Sequence, residues 1–317
     1  YVFSIRPADI VVSDETDRER LLAKIKAVFE LGIRRFMLLE DDVSHELPEA
    51  DRAAYGDYAT AHTELARAVF AYIKDMDTAS KLVFCPTPYT TRSSALPGMR
   101  NYLEKVAERL DGEIDVIWTG PYCCSARITA ANARYYGKLI GRKPFLWDNY
   151  PVVDGRPGVA LLDALRRREP GLADELSGFG TNPMDWPVMN FIPVSTVAEF
   201  LWNADSYDPD ATLDEALELE LGRDALPFAK RVLDILAPDW SVPEVDQGAV
   251  GWTLSFMEKK GDEAAAAKLE KDSTELARLL DALGELTENR EFIEELRPVV
   301  ENLVGLAAPV RLDARIK

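Results

Sequence analysis

Short apolar runs alternate with amphipathic stretches over the first 204 residues. The runs are VFSI (2–5), RFMLLE (35–40), KLVFCP (81–86), DVIWTG (115–120) and PFLWDN (144–149), with a weaker sixth, GFGTNP (178–183). The first five are rich in β-branched and aromatic residues and each leads into a loop, which predicts strands. Residues 18–32, 53–76, 99–112 and 131–141 carry apolar side chains at three- and four-residue spacing, which predicts helices. Gly32, Gly112 and Gly141 stand where helix stops belong.

Strand–helix alternation with continuously apolar strands implies a parallel sheet covered on both faces. The run ends recur at intervals near the length of one βα unit. A doubly wound sheet and a (β/α)8 barrel both fit. A dinucleotide-binding doubly wound fold needs a glycine-rich turn after its first strand, and RPADIVVSD has none. The expected fold is therefore α/β, a (β/α)8 barrel. Six strands are counted where a barrel has eight, so two βα units are expected to be absent from the N-terminal side. After SYDPDATLDEAL (206–217) the pattern is helical throughout. Residues 1–207 are read as a catalytic barrel domain and 208–317 as a helical bundle domain.

Composition narrows the function. The 317 residues are 47% hydrophobic, enough for one large domain or two ordinary ones. A net charge of −18 repels phosphate backbones, so nucleic acid is not an expected partner. No apolar run approaches the ~18 residues of a membrane span. Cys85, Cys123 and Cys124 form neither a disulfide framework nor a zinc spacing. With His45 and His62 the only histidines, a histidine-rich metal site is not expected. His45 reads as a solvated helix-start residue and His62 as a satisfied or exposed helix residue. The compartment cannot be read from the sequence.

Barrel chemistry gathers where strands end. Here those ends carry Glu40-Asp41-Asp42, Thr87-Pro88-Tyr89, Trp118-Thr119-Gly120, Trp147-Asp148-Asn149-Tyr150 and Thr181-Asn182-Pro183. Aromatic faces stack on sugar rings, Asp and Asn bind hydroxyls, and adjacent acids serve as general acid and base. The set points to a neutral carbohydrate. Plainer readings stand beside it. The acid pair can be a strand-end turn, Trp118 and Trp147 core aromatics, Asn182 a turn former and Asp154 part of an Asp-Gly turn.

LLEDDVSH, FCPTPY, WTGP, WDNYPVVD and TNPM, in that order, resemble glycoside hydrolase family 84, across about residues 1–204. The helical region resembles the domain following the barrel in that family. The resemblance implies a retaining β-N-acetylglucosaminidase acting on terminal GlcNAc of glycans or O-GlcNAc proteins, bacterial enzymes included. Its mechanism is substrate-assisted, through an oxazoline, without metal or cofactor. Asp41 matches the acid that orients the acetamido N–H, and Asp42 the acid that protonates the leaving oxygen. Tyr89 matches the tyrosine that bonds the acetamido oxygen. Trp147 and Thr119 match acetamido-pocket residues, with Cys85 beside them. Asp154 and Asn182 match groups that hold sugar hydroxyls, and Asn149 a further site asparagine. A sugar-contacting glycine and lysine from two earlier strands have no counterpart here. The alternatives are a carbohydrate-binding pseudoenzyme or incomplete fragment, and a glycosidase whose own carboxylate is the nucleophile. Glu40 is expected to point away from Asp41 by strand alternation and is given no role.

Overall fold

The computed structural model describes residues 1–7, 10–41, 43, 47–153, 159–237 and 263–316, with side chains of 263–266 and 306–316 excepted. Six strands form one sheet in the order of the sequence: β1 (Val2–Ile5), β2 (Arg35–Leu39), β3 (Lys81–Cys85), β4 (Asp115–Trp118), β5 (Phe145–Asp148) and β6 (Gly178–Thr181). The registered pairs from β1 to β5 are parallel. A doubly wound sheet would reverse its order at a switch point. This one does not, and its parallel pairing puts the C-terminal ends of β1 to β4 along one edge.

Helices α1 (Glu15–Glu30), α2 (Glu49–Tyr55), α3 (Tyr58–Met76), α4 (Thr91–Ser94), α5 (Met99–Arg109) and α6 (Ala130–Ile140) fill the connections. Their starts follow capping chemistry. Asp14 accepts from the Thr16 and Asp17 amides, and Thr129 forms a capping box with Asn132. Gly32 and Gly141 adopt positive φ at helix ends as expected. Gly112 does not, because α5 ends earlier, at Arg109, with Leu110 as its cap. The single helix expected over 53–76 is two. Gly56 turns the chain at φ 79°, and Asp57 recaps it by accepting from the Thr60 amide.

By contacts the chain forms two compact units. One comprises 1–123, 128–147 and 171–180; the other comprises 124–127, 148–170 and 181–317. In the first unit, strand alternation divides the sheet's side chains. Phe36, Leu38, Leu82, Phe84, Val116, Trp118 and Leu146 pack with the helices' Leu65, Val69, Leu103 and Tyr136. Met37, Val83, Cys85 and Ile117 form a separate cluster on the other face, joined by Leu39, Tyr89, Phe145 and Trp147.

The weak apolar character of β6 has a steric cause. A Cβ built on Gly178 would lie 2.5 Å from the Phe145 ring, and one on Gly180 3.4 Å from it. The glycines leave room for that ring. Gly178→Ala is expected to cost about 1–3 kcal/mol through overpacking, and Gly180→Ala less. Urea unfolding of both variants checks this. An unchanged midpoint for Gly178→Ala would mean the ring moves aside freely.

The second unit contains α7 (Phe191–Trp202), α8 (Pro209–Leu221), α9 (Leu226–Leu236), α10 (Glu263–Leu286) and α11 (Arg290–Ile316). Arg231 of α9 forms a two-pronged pair with Glu275 of α10 at 2.6 and 2.9 Å. Glu295 of α11 accepts from the Val188 and Met189 amides. Among the described residues no helix is long and apolar enough to cross a membrane.

Candidate active site

β2 delivers the acids. Its alternation puts Met37 and Leu39 on the Cys85 face and Phe36 and Leu38 on the helix face. One residue further, Glu40 is nearly fully buried, 2% exposed, and pairs with α3. Asp41 comes next, half-exposed, where the chain bends. Asp42 lies outside the described residues, as do His45 and Asp154.

Tyr89, Cys85 and Trp147 meet on the face of Met37 and Leu39. Cys85 is buried, and Tyr89 and Trp147 pack partly exposed against its cluster. The Tyr89 hydroxyl lies 4.0 Å from Cys123 Sγ. Thr119 is buried; its amide donates to the Tyr89 carbonyl at 3.0 Å and its hydroxyl to the Tyr122 carbonyl at 3.0 Å. Thr119 thus also fixes the loop that carries Tyr122 and Cys123. Trp118 is a core residue, fully buried, stacked on Tyr136 at 5.7 Å, with its indole N–H donating to Thr91.

In the second unit, Asn149 and Asn182 stand just past β5 and β6. Asn182 Nδ2 donates to Asn149 Oδ1 at 3.0 Å, and the Asn182 amide to the Asp148 carbonyl at 2.9 Å. The two residues thus form one polar group built on two strand ends.

Two arrangements were not expected from the sequence. The first surrounds Glu40. Its Oε2 is 3.7 Å from His62 Nε2, and its Oε1 has no hydrogen-bond partner among the described residues. His62 Nδ1 is 2.9 Å from the Tyr102 hydroxyl of α5, and Thr87 donates its hydroxyl to the Glu40 carbonyl at 2.6 Å. Burial, then the charge of Asp41, push the Glu40 carboxyl well above its ordinary range. Burial holds His62 down to about 4. His62 is therefore neutral near pH 7, and the Glu40 carboxyl is biased towards its protonated form. The sequence holds a partial signal: strand period two aims Glu40 at the helix layer, and α3 puts a histidine on its buried face.

The second is Arg168, paired with Asp148, both side chains 1% exposed. It falls within RRRE (166–169), which reads as a surface charge run, so nothing in the sequence marks it.

A cavity of about 590 Å³ is lined by Val43, Tyr58, Thr87, Met99 and Tyr102, among others. Tyr89, Thr119 and Trp147 do not line it, so this cavity is not where the candidate residues gather.

The comparisons agree with the motifs. A family model described as beta-N-acetylglucosaminidase matches residues 1–232. Protein O-GlcNAcase of Rattus norvegicus is 30% identical over 200 residues, covering 62% of this chain and 22% of that protein. Protein O-GlcNAcase of Mus musculus is 30% identical over 201 residues, with the same coverage. The chain thus spans 22% of the length of these relatives. An O-GlcNAc hydrolase mutant of Thermobaculum terrenum superposes with TM-score 0.79 at 26% identity, over 98% of this chain and 67% of that one. CpGH84B is alike in fold, with TM-score 0.74 at 22% identity over 99% and 55% of the two chains. With its motifs, its sequential parallel sheet and a family match over most of its length, this chain belongs to the β-N-acetylglucosaminidase family, glycoside hydrolase family 84.

Proposed function

We propose that the protein is a retaining β-N-acetylglucosaminidase of the O-GlcNAcase type that releases terminal β-linked GlcNAc from a glycan or glycoprotein. The carrying observation is the family match over residues 1–232, joined to Tyr89, Cys85 and Trp147 on one face of the sheet, with Asp41 just past the end of β2. The parallel strands are read as part of a (β/α)8 barrel, residues 1–207, with a helical bundle domain from 208.

The proposed reaction is substrate-assisted. The acetamido oxygen of the sugar attacks its own anomeric carbon as the bond to the leaving oxygen breaks. Asp41, as an anion, accepts from the acetamido N–H and offsets the positive charge that grows there. Tyr89 donates to the acetamido oxygen as it closes the oxazoline. Asp42 gives its proton to the leaving oxygen, then takes one from the water that reopens the ring. Two inversions at one carbon give net retention. Adjacent carboxyls resist ionising together, which suits a pair made of one anion and one acid. Trp147 and Thr119 are assigned the acetamido pocket. Asp154 and Asn182 are assigned sugar hydroxyls on motif resemblance, and Asn149, a further site asparagine by that resemblance, is assigned the same role through its bond to Asn182.

Turnover of 4-nitrophenyl N-acetyl-β-glucosaminide by the purified protein tests this. The expected result is hydrolysis with retention, inhibited by a GlcNAc-thiazoline that mimics the oxazoline. Trapping of a covalent glycosyl-enzyme would replace the mechanism. Absence of turnover with thiazoline binding retained would leave only a sugar-binding protein.

A further inference from the structure

Arg168 makes contacts unusual for a residue in a basic run. Its Nε and Nη2 donate to the two Asp148 carboxylate oxygens, each at 2.7 Å. Nη2 also donates to the Ser125 carbonyl at 2.9 Å, and Nη1 to those of Ala126 and Arg166 at 3.1 Å. The preceding residue, Arg167, adopts φ 58°, rare for a side chain larger than glycine. The chain thus takes an unfavourable turn and delivers a guanidinium into the interior. Its fork closes on the last residue of β5 and on the segment after β4.

Stability alone explains this poorly. A buried ion pair is often no more stabilising than an apolar pair of the same size, because both charges lose their water. What the pair does specify is the position of the β5 end. The Asp148 carbonyl accepts from the Asn182 amide, and Asn149 follows directly and accepts from Asn182 Nδ2. The Thr181 hydroxyl donates to the Tyr150 carbonyl, and the Tyr150 hydroxyl to that of Asp163. Arg166 holds Asp163 in turn at 2.8 and 3.0 Å. A chain of bonds therefore runs from 163–168 to both asparagines.

We propose that Arg168 is a positioning residue for the sugar-binding asparagines. Through Asp148 it fixes Asn149 and Asn182 so that their amides meet the sugar hydroxyls in one geometry. The inference rests on the glycosidase reading above.

The test compares wild type with the double variant Arg168→Met/Asp148→Leu, which removes both charges and leaves neither unpaired. The expected result is a folded variant with a lower unfolding midpoint, because the Ser125, Ala126 and Arg166 carbonyls lose their donor, with KM for the aryl glycoside higher by about 10- to 100-fold and kcat little changed. The thiazoline Kd should weaken in parallel. Grip on hydroxyls distant from the reacting bond is felt alike in ground and transition states, so KM carries the loss. A folded double variant with wild-type KM and Kd overturns the proposal, as does a fall in kcat at constant KM. If the double variant does not fold, Arg168→Lys serves. It keeps the charge but loses the two-pronged geometry, and an unchanged KM there also overturns the proposal. A wild-type protein with neither turnover nor thiazoline binding would sink the glycosidase reading and this inference with it. An active wild type with an unaffected variant would sink this inference alone.

Discussion

Asp41→Asn is expected to lower turnover about 10²–10³-fold on both activated aryl and unactivated alkyl N-acetylglucosaminides, because it removes the charge facing the acetamido nitrogen. Ring closure and loss of the leaving group are one step for both substrates, so a better leaving group does not replace the help Asp41 gives the acetamido group. Asp42→Asn should behave differently. It should cost about 10²–10⁴-fold on an alkyl leaving group, which needs a proton, and far less on an acidic phenol, which does not. The comparison is a two-by-two set of kcat/KM values. Equal losses across leaving groups for Asp42→Asn would remove it as the acid. A leaving-group-dependent loss for Asp41→Asn would exchange the two roles. Asp41 is half-exposed at a bend after β2, so its replacement should leave the unfolding midpoint close to wild type.

The second large effect is on stability. In the folded protein the Glu40 carboxyl is raised well above 4.5, its ordinary value, and His62 is lowered from 6.5 to about 4. The groups around them are Asp41 on the same segment, Tyr102 on α5, Thr87 after β3 and Asp51 on α2. Above 4.5 the folded protein retains a Glu40 proton that the unfolded chain gives up, while between about 4 and 6.5 the unfolded chain retains a His62 proton that the folded protein gives up. The two effects oppose each other, so the pair's pH slope there is smaller than that of either group alone. The Glu40 contribution is lost as pH rises from 4.5 through its raised folded value. Below 4.5 the unfolded pair holds more, and stability falls as pH drops through about 4.

Single variants should expose the hidden slopes. In Glu40→Gln only His62 titrates, so stability should rise with pH from about 4 to 6.5, by up to about 1.4 kcal/mol per pH unit. In His62→Gln only Glu40 titrates, so stability should fall with pH above 4.5, with the same limiting slope of about 1.4 kcal/mol per unit. Glu40→Gln should also be the more stable relative to wild type at pH 8. Urea midpoints across the range measure this. Parallel profiles for the two variants would mean the two shifts do not oppose each other.

How much of this was legible can be read from β2. Its apolar run, its end at the acids and the opposite pointing of Glu40 follow from period two alone, since pleating leaves no other choice. Trp118 and Trp147 are alike in sequence, each next to its strand end. The register then puts one against the helices and the other on the Cys85 face, a one-residue difference in phase. β6 was the weakest strand to read because its glycines answer to Phe145, a residue more than thirty positions away.

The sequence by itself determined the strand–helix alternation, the order of the five motifs and, through them, the family. These are local or ordered properties, carried by residue type and spacing. Only the tertiary structure decided that Glu40 meets His62, and that Arg168 leaves its charge run to clasp Asp148. Burial and pairing of charge depend on which distant segments pack together, and charged residues at the surface and in the core are spelled the same way.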